Sequence, residues 1–264
     1  MQENPKKIKP LVMAGMLALA SLAGVAQANE TLEIGVEALY PPFESKAPDG
    51  TLVGFDIELG EAVCAKMNVK CEWVETSFDG LIPALNARKF DFINSAMDIT
   101  AARQKVIDFT QPVYIVPSQL LVKKGSGLQP TVESLQGLSI GVLQGSSQEA
   151  FVRKHWGKQG VKIVSYASQD QIYQDLANGR IQGAVQNSPS ALDSFLNRPE
   201  GEGYELVEPI LHDAGIFGEG IAFGLRKKDT ELRQRLDAAI QELKNDGTIG
   251  KLSEKYFNAN WVAK

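Results

Sequence analysis

The chain has 264 residues, with 27 Lys or Arg against 32 Asp or Glu, for a net charge of −5. That length allows one large domain or two small ones, and an apolar share of 44% supports a packed core. Nothing in a net acidic chain points to a nucleic-acid surface, and two cysteines are too few for a structural zinc site.

Lys6, Lys7 and Lys9 precede an apolar run from Leu11 to Val25, and Ala26-Gln27-Ala28 then offers small residues. This pattern predicts a secretory signal peptide over residues 1–28, cleaved after Ala28. The alternative, a membrane anchor, is disfavoured because Gly15, Ser21 and Gly24 break a run already short for a span. Removing the segment leaves 24 basic and 31 acidic residues, a net of −7. An acidic, exported, soluble protein suits cations or zwitterions. Export also favours a disulfide between Cys64 and Cys71, whose short loop would contribute roughly 2–3 kcal/mol in the chain-entropy picture.

From Thr31 onward, short apolar runs alternate with amphipathic ones. Leu32–Val36 predicts a strand. Tyr40-Pro41-Pro42-Phe43 predicts a loop, because neither proline can continue a ladder. Asp56 to Met67 predicts a helix with Ile57, Val63 and Met67 on one face. Glu72–Val74 reads as a strand, Leu81 to Ala87 as a helix, and Phe90–Ile93 as a strand. The fold class is therefore α/β, with βα units around a largely parallel sheet.

After that strand comes Ser95-Ala96-Met97-Asp98-Ile99-Thr100-Ala101-Ala102-Arg103. Thr100 is a candidate N-cap for a helical turn, whose free N–H groups favour an anion. Arg103 follows one turn in, where its fork suits a carboxylate, and Ser95 and Asp98 add polar groups beside it. A small zwitterion would find partners for both charges here. The plainer alternative is a capped turn with a solvated Arg.

The second half repeats the theme. Leu138-Ser139-Ile140-Gly141-Val142 echoes Leu32-Glu33-Ile34-Gly35-Val36, and Leu176-Ala177-Asn178-Gly179-Arg180-Ile181 echoes Leu85-Asn86-Ala87-Arg88-Lys89-Phe90. The common order predicts two lobes of similar build. Ser118–Lys123 and Ile221–Arg226 read as the strands that cross between them, which makes a hinge with a ligand cleft. Lobe one is expected over 29–116 and 221–264 and lobe two over 117–220, with crossings near 115–118 and 212–221. Thr230–Leu243 and a second helix to about Tyr256 close the chain.

Several stretches together resemble the periplasmic amino-acid-binding proteins of ABC importers, solute-binding protein family 3. They are Gly54-Phe55-Asp56-Ile57-Glu58-Leu59, Phe78-Asp79-Gly80-Leu81-Ile82-Pro83-Ala84-Leu85, Ser95 to Arg103, Gly141 to Ala150, Asp246-Gly247-Thr248 and Lys255-Tyr256-Phe257. Among its members, the lysine/arginine/ornithine-binding and arginine-binding proteins look most similar, the spacing of Cys64 and Cys71 included. The resemblance implies a two-lobed periplasmic binding fold of type II, closing on one free polar, basic amino acid: arginine, lysine or ornithine. It implies Arg103 on the α-carboxylate with the Ser147 N–H, and Ser95, Ala96 and Asp98 at the α-ammonium. Tyr40 and Phe78 would sandwich the side chain, Glu37 would face its distal cation, and Leu143 and Gln148 would close the pocket from lobe two. On residues alone, Tyr40 and Phe78 read as core and Glu37 as a solvated loop acid. The implied partner is a membrane permease with its ATPase, and a monomer without cofactor or metal is expected. One position departs from the family: where basic amino-acid binders carry a lobe-two aspartate for the α-ammonium, this chain has Asn187. Asp98 is the nearest replacement, with Asn187 left to offer a carbonyl oxygen; a ligand with a substituted α-nitrogen is the rival reading.

An enzyme would need a base, nucleophile or metal. His155 and His212 belong to no metal-binding or nucleophile motif, so an enzyme such as a cyclohexadienyl dehydratase on this fold is the alternative, not the expectation. A receptor's outer domain would continue into a membrane span, and the chain ends at Lys264.

Overall fold

The computed structural model describes residues 1–2 and 30–264; apart from Met1 and Gln2, the expected signal peptide lies outside the described residues. Two five-stranded sheets are built to one plan. In the first, the order is Lys70–Glu75, Thr31–Val36, Phe92–Ile93, Gly224–Leu225, Asp108–Phe109. In the second, it is Lys162–Tyr166, Ser139–Leu143, Gly183–Asn187, Ser118–Lys123, Tyr204–Val207. The echoed segments Leu32–Val36 and Leu138–Val142 thus fall on the same rank of each sheet. In each, the first three strands are parallel and the fourth is antiparallel to the third. The parallel trio follows from helical crossovers: Phe55–Met67 and Leu81–Asn86 in one lobe, Ser147–His155 and Gln169–Ala177 in the other. The fourth strand enters from the opposite lobe and therefore runs the other way, so the sheets are mixed rather than wholly parallel.

Local chemistry sets the element ends. Gly54 (φ 134°) opens the helix Phe55–Met67, and a Cβ there would lie 2.3 Å from the Phe43 carbonyl oxygen. The Cys64–Cys71 disulfide ties that helix to the strand Lys70–Glu75. The strand expected from Phe90 starts only at Phe92, because the Arg226 guanidinium takes the Phe90 carbonyl at 2.6 Å. Gly35 makes room for the Phe90 ring, which a Cβ would approach to 2.3 Å. Tyr40 ends a two-residue strand rather than sitting wholly in a loop, and pairs with Glu44 across the turn formed by Pro41-Pro42. The C-terminal helices Thr230–Asn245 and Thr248–Phe257 pack on lobe one.

The lobes meet along their crossings. Ile221 pairs with both Asp98 and Tyr114, donating its N–H to the Tyr114 carbonyl at 2.8 Å. The strand expected over Ile221–Arg226 is regular only at Gly224–Leu225, because Ile221 serves these bridges instead. The core of lobe one gathers Phe43, Phe55, Tyr114 and Phe223, and that of lobe two gathers Val142, Val152, Trp156 and Leu120. A third buried cluster runs across the cleft, from Phe78, Leu81 and Met97 to Leu143, Tyr173 and Phe195. Apolar packing therefore accompanies closure of one lobe on the other.

Candidate functional site

The segment Ser95–Arg103 forms the lobe-one wall of the cleft. Ala96 adopts φ 41°, a left-handed conformation uncommon for alanine, and its N–H donates to Asp56 Oδ2 at 2.6 Å. Thr100 Oγ1 accepts the Arg103 N–H at 3.1 Å, which closes the turn leading into the short 3-10 helix Arg103–Lys105; the N-cap position of that helix is Ala102, not the expected Thr100. Arg103 is 8% exposed. It donates from Nη1 to the Asp98 carbonyl at 2.8 Å and from Nη2 to the Gly145 carbonyl of lobe two at 3.1 Å. Its guanidinium lies 5.3 Å from the centre of the Phe78 ring. Burial pushes the Asp98 carboxyl up to about 6, against the pull of Arg103 and of the Ser147 hydroxyl. Burial likewise lowers Arg103, with Asp98 opposing.

Lobe two answers with hydroxyls and amides. Ser147 is the first residue of the helix Ser147–His155, and Ser146 caps it by accepting the Glu149 N–H at 3.0 Å. The Ser147 hydroxyl crosses the cleft and donates to Asp98. Gln148 donates to Ser118 Oγ at 2.8 Å and to Asn187 Oδ1, which also accepts the Ser118 hydroxyl at 3.2 Å. The Asn187 carbonyl is thus engaged inside lobe two. Its backbone N–H reaches across to the Tyr40 hydroxyl at 3.2 Å. Gly145, in the turn before the helix, has φ 77°, and a Cβ there would come within 3.0 Å of Asp79 on the facing lobe.

A cavity joins the walls. Tyr40, Phe78, Ala96 and Asp98 line it from lobe one, and Leu143, Ser147, Gln148 and Asn187 from lobe two. Arg103 stands at its edge against Phe78 and Asp98. Ser95 does not line it: its hydroxyl accepts the Glu37 N–H at 3.0 Å and donates to Glu44 Oε1 at 2.7 Å, one layer behind. Glu37 lines a neighbouring recess with Ser77 and Gln171. It is 2% exposed, neither carboxylate oxygen has a hydrogen-bond partner, and burial, with Asp79 and Asp170 nearby, pushes it up to about 8. Such an acid calls for a cation.

Sequence reasoning missed Gln169 and Gln186, which also line the cavity. Both are buried, with Gln169 Oε1 and Gln186 Nε2 unpartnered. The one signal was a polar residue inside the apolar strand Gly183–Asn187. It also missed Glu44, Asp56 and Tyr114, whose places in a loop, a first helical turn and a crossing looked ordinary. Neither His155 nor His212 lines the cavity; His155 pairs with Asp213 at 2.7 Å. Among the described residues, no three His, Cys, Asp or Glu converge as a metal site, and no helix is long and apolar enough to cross a membrane.

Residues 32–259 match the family of bacterial extracellular solute-binding proteins, family 3. The chain is 46% identical over 254 residues to the histidine-binding periplasmic protein of Escherichia coli K12, covering 95% of this chain and 98% of that one. It is 44% identical to the lysine/arginine/ornithine-binding periplasmic protein of the same strain, with 93% and 97% covered. Among solved structures, an ancestral arginine-binding protein bound to arginine superposes with a TM-score of 0.79 at 36% identity, covering 86% of this chain and 98% of that one. An ancestral amino acid-binding protein, a precursor of cyclohexadienyl dehydratase, gives 0.76 at 32%, with 86% and 95% covered.

Proposed function

The chain belongs to family 3 of the bacterial extracellular solute-binding proteins, and from that premise we propose that it closes on one free basic amino acid in the periplasm and delivers it to an ABC permease and its ATPase. The observation that carries this reading is a buried cation, Arg103, beside a half-buried acid, Asp98, in one wall, with Ser147 reaching Asp98 from the other. A zwitterion supplies the complement to both. Arg103 takes the α-carboxylate, helped by the Ser147 N–H, and Asp98 takes the α-ammonium near Ser95 and Ala96. Asp98 replaces the acid absent at Asn187. Tyr40 and Phe78 flank the aliphatic stem, Leu143 and Gln148 cover it from lobe two, and Glu37 answers the distal cation. Lobe one comprises 29–116 and 221–264, lobe two 117–220, and closure bends the chain where they cross. In this reading the protein binds its ligand without catalysis, in keeping with relatives named as binding proteins.

A thermal-shift panel of amino acids tests this. Arginine, lysine, ornithine or histidine in large excess over its Kd should stabilise the protein by roughly 3–4 kcal/mol. No shift with any of them, together with turnover of prephenate or arogenate, would reassign the chain to the enzyme alternative.

A further inference from the structure

Behind the cleft wall lies a pair of acids that the ligand contacts above leave unused. Glu44 and Asp56 are both 0% exposed. Asp56 accepts the Ala96 N–H at 2.6 Å and, through both oxygens, the Tyr114 hydroxyl at 3.0 Å. Glu44 Oε1 accepts the Ser95 hydroxyl at 2.7 Å, while Glu44 Oε2 has no donor within reach. The two acids hold adjacent residues of one segment, Ser95 and Ala96, so the two buried carboxyl groups are neighbours. The other titratable groups facing them are Glu37, Tyr40 and Tyr114, with Asp98 beyond Tyr114, and none is a cation.

Two ionised carboxylates side by side in a dry interior repel strongly, and one shared proton turns that repulsion into a charge-assisted O–H···O bond. The bare Glu44 Oε2 is the atom that would carry the proton. Burial and the Asp56 charge push Glu44 well above the usual carboxylate range, whereas burial lifts Asp56 only to about 6.

We propose that Glu44 is a positioning residue of the ligand site: un-ionised, it donates from Oε2 to Asp56 and accepts Ser95 at Oε1, and the singly charged pair holds the Ser95–Ala96 wall in shape. Two features of the wall depend on it. Ala96 keeps its left-handed φ of 41° while its N–H is held by Asp56. Ser95, a layer behind the cavity, spends its proton on Glu44 and receives the Glu37 N–H, so neither its hydroxyl nor the Ala96 N–H is left as a free donor. A wall that only accepts, backed by one buried negative charge, favours an ammonium over a carboxylate. The assignment of the ammonium to this wall rests on the function proposed above; the state of the acid pair does not.

Infrared spectroscopy of the ligand-free protein and calorimetry with arginine, on wild type, Glu44→Gln and Glu44→Ala, test the proposal. At neutral pH the wild type should show the carbonyl stretch of an un-ionised carboxyl that is missing from Glu44→Gln. The Gln amide can still donate to Asp56 and accept Ser95, so Glu44→Gln should bind arginine within about threefold of wild type, while Glu44→Ala should weaken it at least tenfold. Absence of the carbonyl band, equal weakening in both variants, or wild-type binding by Glu44→Ala would overturn it. If Glu44→Ala does not fold, the band and the Gln rescue still decide. If arginine binds none of the three while the band is present, the acid pair stands and the ligand assignment fails.

Discussion

The two walls of the cleft carry different chemistry. Lobe one presents Arg103, Asp98 and Glu37, with Glu44 and Asp56 one layer behind. Lobe two presents Ser147, Gln148, Gln169, Gln186 and Asn187, none of which ionises at working pH. Lobe one can therefore gather the charges of a ligand while the cleft is open, and lobe two adds neutral dipoles as it closes. Burying an amide that finds its partners costs far less than burying another charge, so closure meets a smaller desolvation penalty. The internal bonds among Ser118, Gln148 and Asn187 mean that lobe two arrives already ordered.

The division is broken most severely at Arg103. Arg103→Ala should remove binding by about 2–5 kcal/mol, because an α-carboxylate buried without its partner is left behind. Thermal unfolding of the free protein should remain cooperative, since the arginine's two side-chain bonds are to backbone carbonyls, one in its own wall and one across the cleft. Calorimetry giving wild-type affinity would remove Arg103 from the site.

Asp98 and Asn187 test the one-sidedness itself. Asp98→Asn should weaken free basic amino acids by about 2–4 kcal/mol, and Asn187→Asp should leave them unchanged or bind them more tightly. An unaltered Asp98→Asn, or tightest binding of an Nα-acylated arginine, would show that the ligand brings no α-ammonium. The pH dependence follows from the Asp98 carboxyl near 6: protonation removes the counter-charge, so wild-type affinity should fall as pH drops through about 6. Asn187→Asp should blunt that fall.

The smallest expected effect is at Glu37. Glu37→Gln should weaken arginine or lysine more than glutamine, since the acid faces only the distal cation. In the free protein its folded value near 8 lies above the unfolded value of about 4.3, so the folded state holds the extra proton between them. The stability from this group is full at low pH and is lost as pH rises through about 8. The thermal midpoint of Glu37→Gln should therefore gain on wild type from mildly acidic pH up to about 8 and then hold a constant lead. A gap that stays flat with pH would mean that Glu37 is solvated.

The sequence by itself determined what depends on near neighbours. The strand at Thr31–Val36, the helices Phe55–Met67 and Thr230–Asn245 and the crossing Ser118–Lys123 follow from periodicity within a dozen residues. The Cys64–Cys71 bond joins residues seven apart, and the echo between the halves pointed to two lobes of similar build. The turn that carries Arg103 was legible because Thr100 and Arg103 are three residues apart. Only the tertiary structure decided which polar groups are buried together. Ser95 meets Glu44 across 51 residues and Asn187 meets Tyr40 across 147. Nothing local separates the buried Glu44 and Asp56 from solvated acids, or Gln169 from a helix-surface amide. Their chemistry comes from loss of water and from partners on other segments, and both are set only when the chain has folded and the lobes have met.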